Sequence, residues 1–152
     1  MNLYRNPRFM RIGFSVLGLL VPLFLASSSP VRGQAVDFKP GMPFSDGFIA
    51  GKMLFVAGQQ GPGSDGKVAA LDISTQTENT IAAIEKIVKK AGFEMSDIKS
   101  VTVYITDLND VPKMNEVYKR LMPNPKPARA TVQVAGLIGG AKIEISAIAV
   151  KQ

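Results

Sequence analysis

The stretch from Pro127 to Val150, PARATVQVAGLIGGAKIEISAIAV, decides how this chain is read. Two apolar arms flank a glycine-rich bend, and only Arg129, Lys142 and Glu144 interrupt them with charge. Strand side chains alternate faces. In the first arm Ala130, Val132 and Val134 share one face, and Arg129, Thr131 and Gln133 the other. In the second arm Ile143, Ile145, Ala147 and Ala149 share one face, while Lys142, Glu144 and Ser146 begin the other. If the arms pair as a hairpin around residues 136–140, one natural register sets Thr131 opposite Glu144 and Arg129 opposite Ser146. Arg129 and Glu144 are then diagonal neighbours about 7–8 Å apart, close enough to grip one small ligand. The alternative is two solvated strand charges, and spacing leaves both open.

The segments upstream supply the rest of a layered fold. GFIAGKMLFVAG reads as a hairpin, with strands near Gly47–Ile49 and Met53–Ala57. A loop follows, containing Gly61-Pro-Gly63-Ser-Asp-Gly66. It matches the dinucleotide-binding pattern in letters only, because Pro62 removes an N–H donor and no helix opens directly behind it. A first helix runs from about Ile73 to Ala91. Asp72 caps it, with Thr75 and Glu78 as an alternative capping box. Ile81, Ile84, Val88 and Ala91 form its buried stripe, and Gly92 closes it. A strand follows over Ser100–Thr106, then a second helix opened by Asp107 or Asn109, with Val111, Met114, Tyr118 and Leu121 as its apolar stripe. The order β-β-α-β-α-β-β predicts one α+β domain with two helices on one sheet face.

Length and composition bound the function. With 152 residues, the chain has room for one compact domain. Its first 35 residues read as a secretory signal peptide. Arg5, Arg8 and Arg11 precede the apolar run Ile12–Ala26, which is short for a membrane span and interrupted by Pro22. Cleavage is feasible after Ala35 or after Ser28, and an uncleaved anchor is the competing reading. The predicted domain is residues 36–152, periplasmic or secreted, with no membrane attachment after cleavage. Four arginines leave with the leader, so fourteen basic residues face twelve acidic ones, a net +2. Such a balance gives no nucleic-acid footprint. The absence of cysteine and histidine excludes thiol nucleophiles, histidine triads and sites built on those ligands. Acid–base work near neutral pH falls to a carboxylate, lysine, tyrosine or water.

Five segments carry a resemblance: PFSDG (43–47), LFVAGQ (54–59), VTVYITDLNDVPKMNEVY (101–118), PARATVQVA (127–135) and KIEISAIAV (142–150). In this order they resemble the RidA (YjgF) family of reactive-intermediate deaminases. The resemblance implies a chorismate-mutase-like α+β fold, a homotrimer with clefts between subunits, and no cofactor or metal. It implies hydrolysis of 2-imino or 2-enamino acids to 2-keto acids and ammonia. Arg129 matches the family's carboxylate-binding arginine, and Glu144 its water-activating glutamate. Phe44, Gly58 and Asn115 match pocket positions. Phe44 replaces the usual tyrosine, Ser146 a usual glutamate, and Gly136 a usual arginine. A non-catalytic trimer binding small carboxylates in the same cleft is the alternative.

Overall fold

The computed structural model describes residues 33–152. Most of the expected leader lies outside the described residues. Six strands and two helices follow: β1 (Gln34–Val36), β2 (Gly47–Ala50), β3 (Met53–Gln59), α1 (Ile73–Lys90), β4 (Ile98–Ile105), α2 (Val111–Leu121), β5 (Ala128–Gln133) and β6 (Ile143–Val150). β1 was not expected, and it pairs antiparallel with β2. A cut after Ala35 would remove two of its three residues, whereas a cut after Ser28 would leave it whole.

The strands form one mixed sheet in the order β1-β2-β3-β6-β4-β5. Helix α1 starts where Asp72 accepts hydrogen bonds from the N–H groups of Ser74 and Thr75, so Asp72 is the cap and not Thr75. It ends where Gly92 turns left-handed at φ 74° and the N–H groups of Gly92 and Phe93 bond back to Lys89 and Val88. Its buried stripe of Ile81, Ile84 and Val88 packs on the same sheet face as Met114 and Tyr118 of α2. Leu121 is exposed, and Val117 is buried in its stead. The core lies between these helices and Leu54, Val56, Val101, Val103, Ile105, Ile143 and Ile145.

Among the described residues, the sheet's other face carries no helix. Phe48 of β2, Phe55 of β3 and Val132 of β5 remain 46%, 40% and 45% exposed there, giving that face an apolar character. Their in-register partners show why they share it: Phe48 pairs with Phe55, and Phe55 with Ile148.

The decisive stretch does not form a hairpin. β4 lies between its arms, running parallel to β5 and antiparallel to β6. The bend passes over the end of β4, where Val134 N–H bonds to Ile105 O and Thr106 N–H bonds to Lys142 O. Each arm therefore satisfies its backbone against β4 and not against the other arm. Helix α2 makes this possible as the crossover that a parallel β4–β5 pair requires. Register also separates the polar faces. Arg129 sits beside Val101, a core residue on the helix-covered face, while Glu144 sits beside Tyr104 on the open face.

Candidate active site

Glu144 lies in a cleft of about 680 Å³ between the end of β3, the loop that follows it, and the Ile138-Gly139 bend. A register shift between Val56 and Gln59 interrupts the pairing of β3 with β6 and brings Gly58 alongside Glu144. Bulges of this kind re-aim side chains near sites. Here the glycine is needed for space: a Cβ on Gly58 would stand 2.2 Å from Glu144 Oε1. The other carboxylate oxygen, Oε2, accepts a hydrogen bond of 2.9 Å from Gln60 Nε2. Phe44, Pro62, Val68 and Ile138 supply apolar walls.

The loop behind Glu144 is sewn to α1. A Cβ on Gly61 would meet the Gln76 carbonyl oxygen at 2.2 Å, so the chain runs hard against the helix backbone. Asn79 Nδ2 donates to Pro62 O at 3.1 Å. Fully buried Gln76 donates to Val68 O and Leu71 O at 2.9 and 3.0 Å, and accepts from Lys142 N–H at 2.8 Å. One amide thus ties the cleft wall to the start of β6, two residues before Glu144. An unpaired buried amide would be costly, and this one uses both its oxygen and its nitrogen.

Arg129 lies elsewhere, on edge strand β5 beside α2. Its guanidinium carbon is 4.6 Å from the centroid of the Tyr118 ring, and Nη1 is 4.0 Å from Met114 Sδ. A cation–π contact holds the guanidinium over the ring. Among the described residues no carboxylate forms an ion pair with it. Asn115, Lys119 and Lys126 complete a groove of about 290 Å³. Lys126 is occupied locally, donating to the carbonyls of Lys119 and Met122 at the end of α2. Burial pushes the Tyr118 phenol above its ordinary value, with the Arg129 charge opposing.

The predicted site residues therefore fall into two groups. Phe44, Gly58 and Glu144 line one cleft, and Asn115 and Arg129 line the other groove. The diagonal contact that a hairpin would have given Arg129 and Glu144 is absent within one chain. Two strand spacings and three residues of register put their Cα atoms about 14 Å apart, and their side chains leave opposite faces of the sheet. Sequence reasoning missed Gln60 and Tyr118 as parts of these two surfaces, and Gln76 as the buried support behind the first. The Gln59-Gln60 doublet at the end of a strand was the only available sign of the first, since its partner lies 84 positions later. Tyr118 was recognised only as a member of an apolar stripe.

Comparison with known proteins adds the following. The endoribonuclease L-PSP family model matches residues 34–151. A RutC family protein of Pyrococcus horikoshii is 42% identical over 115 residues, covering 75% of this chain and 91% of its own. A human protein named 2-iminobutanoate/2-iminopropanoate deaminase is 31% identical over 110 residues, covering 72% of this chain and 80% of its own. Among solved structures, Escherichia coli TdcF with bound serine superposes with a TM-score of 0.70 at 35% identity, covering 78% of this chain and 99% of TdcF.

Proposed function

The chain belongs to the endoribonuclease L-PSP family, which includes RidA, and from that premise we propose that it hydrolyses 2-imino and 2-enamino acids to 2-keto acids and ammonia. The deaminase names among its relatives support the general role. The observation that carries the finer reading is Arg129: a guanidinium stacked on Tyr118, with no carboxylate partner among the described residues, beside the polar groove of Asn115. A planar guanidinium binds a carboxylate through two parallel hydrogen bonds.

In the proposed reaction the substrate carboxylate binds Arg129 and an enamine first tautomerises to the imine. Glu144 accepts a proton from water as the water oxygen bonds to the carbon of the protonated imine and the C=N π pair moves onto nitrogen. Glu144 returns that proton to the carbinolamine nitrogen, the C–N bond breaks as the C–O bond becomes a carbonyl, and the hydroxyl proton passes through Glu144 to the departing ammonia. The protonated imine and one water thus give the keto acid and ammonium. Because such imines already hydrolyse unaided, holding the reactants together contributes much of the rate.

Opposite faces of one sheet cannot close on one small ligand, so we propose that the site forms between copies of the chain. In a homotrimer, the Arg129 groove of one copy would meet the Glu144 cleft of another. The uncovered apolar face around Phe48 and Phe55 supports such an assembly, because a patch of this kind is commonly an interface. Sedimentation would show three copies, and a monomer would overturn this arrangement. The leader reading makes the protein periplasmic or secreted, which fractionation of the producing cell would test.

The deciding assay generates 2-iminobutyrate or 2-iminopropionate with an amino-acid oxidase, traps it with semicarbazide, and follows the semicarbazone. Wild type should suppress the signal and Arg129→Ala should not. The serine bound to TdcF favours a second reading, in which the chain binds small carboxylates without turnover. Equal traces for wild type and buffer, with carboxylate-dependent thermal stabilisation lost in Arg129→Ala, would establish that reading instead.

A further inference from the structure

We propose that Gln60 is a positioning residue that sets the working orientation of the Glu144 carboxylate. This rests on the role proposed for Glu144 above. A strand glutamate that is only half-buried has free rotation about several bonds, and an attacking water needs one oxygen at a fixed place. In this chain both oxygens are placed. Oε2 accepts the 2.9 Å hydrogen bond from Gln60 Nε2, and Oε1 occupies the volume that a side chain on Gly58 would fill.

The amide is itself held in place. Gln60 stands between Gln59, the last residue of β3, and Gly61, which lies against the α1 backbone. The hydrogen bond from Asn79 to Pro62 O pins the next position. The Gln60 side chain therefore extends from a main chain fixed on both sides. An N–H can only donate, so the oxygen it meets serves as an acceptor and the remaining oxygen of Glu144 stays available to take a proton from water. Gln60 touches no reacting atom in this scheme and acts through Glu144.

Three variants separate positioning from architecture. Gln60→Leu keeps the approximate volume and removes the donor, Gln60→Asn keeps an amide on a shorter stem, and Gln60→Glu sets an acceptor against Glu144. In the semicarbazone assay Gln60→Leu should lower kcat about tenfold or more with KM within about twofold, because a small misplacement of a reacting group is expensive whereas carboxylate binding at Arg129 is untouched. Gln60→Asn should recover part of the loss and Gln60→Glu should lose most. Unchanged kcat in Gln60→Leu would overturn the proposal, as would a loss that follows melting temperature across the three variants. A second readout does not depend on turnover. The carbon-13 signal of the Glu144 carboxyl, assigned by its loss in Glu144→Gln, should shift or broaden in Gln60→Leu. An unmoved signal rejects the positioning role. A moved signal in a wild type that turns over no imino acid sustains the contact and rejects the deaminase reading.

Discussion

The two halves of the proposed site differ in how finished they are. At Glu144 both carboxylate oxygens have a place: one is bound by Gln60, the other sits over Gly58, and the loop behind is anchored by Gln76 and Asn79. At Arg129 only the position of the guanidinium over the Tyr118 ring is set, and it has no acidic partner among the described residues. The difference follows from position. Glu144 is on a central strand surrounded by chain that can support it, whereas Arg129 is on an edge strand with a neighbour on one side only. A proton acceptor, as proposed for Glu144, has to be preorganised, while a binding group, as proposed for Arg129, can wait for its ligand and for the second copy that the proposed assembly supplies.

The largest break in this comparison should come from the unfinished half. Arg129→Ala should lower kcat/KM about a thousandfold, since removing one partner of a desolvated, hydrogen-bonded charge pair costs about 2–5 kcal/mol. Its melting temperature should move little, because the lost cation–π contact at an exposed residue is worth about 0.5–1 kcal/mol. A large fall in melting temperature would make the arginine architectural. Glu144→Gln should lower kcat about a hundredfold, within the usual range for a lost general base, with KM nearly held. A rise in KM alone would assign Glu144 to binding.

Mixing the two dead variants sharpens the comparison. If Arg129 and Glu144 of a working site come from different copies, co-refolded Arg129→Ala and Glu144→Gln chains should regain about a quarter of wild-type activity, the statistical share of intact sites in a ring of heterologous interfaces. No recovery would require both residues to act from one chain, against their placement on opposite sheet faces. Gly58→Ala tests the finished half. Its methyl would occupy the place of Glu144 Oε1, so kcat should fall about tenfold through displacement of the carboxylate. Unchanged turnover would mean that the cleft tolerates another carboxylate position.

How much of this was legible depends on whether the information was local. Helix α1 was readable because its cap Asp72, its stripe and its terminal Gly92 all lie within one segment. The alternation of β5 and β6 was equally plain, and it correctly put Arg129 and Glu144 on the polar face of each arm. What alternation cannot encode is which strand lies beside which. Two antiparallel-looking arms around a short bend suggest a hairpin until β4 is inserted between them, and that insertion inverts the relation of the two polar faces. The polar face of β5 thereby lies on the helix side, and its apolar Val132 on the open side. Leu121 misled for a related reason: it fits the stripe, but α2 turns its last residue outward and buries Val117. Gln60 and Gln76 act through partners far away in sequence, so nothing local marks them.

The smallest expected effect concerns the support of Arg129. The Tyr118 hydroxyl is buried and has no hydrogen-bond partner among the described residues, and burial raises its phenol above the ordinary value of 10.0 while the Arg129 charge opposes the rise. The folded chain then gives up this proton less readily than the unfolded chain. The resulting stability is whole below the ordinary phenol value and drains away as pH rises through the elevated one. Tyr118→Phe keeps an aromatic face beneath Arg129 and removes the unpaired hydroxyl. At neutral pH it should melt at the same temperature or slightly higher, a gain of up to about 1 kcal/mol, because a buried group without a partner is costly. In strongly alkaline solution its advantage should widen, as wild type alone has a buried phenol to ionise. Calorimetry of both proteins across that range decides the point. Parallel curves would show that the phenol does not titrate differently on folding, and a less stable Phe variant at neutral pH would show that the hydroxyl has a partner after all, the natural one being a group across the interface that completes the Arg129 groove.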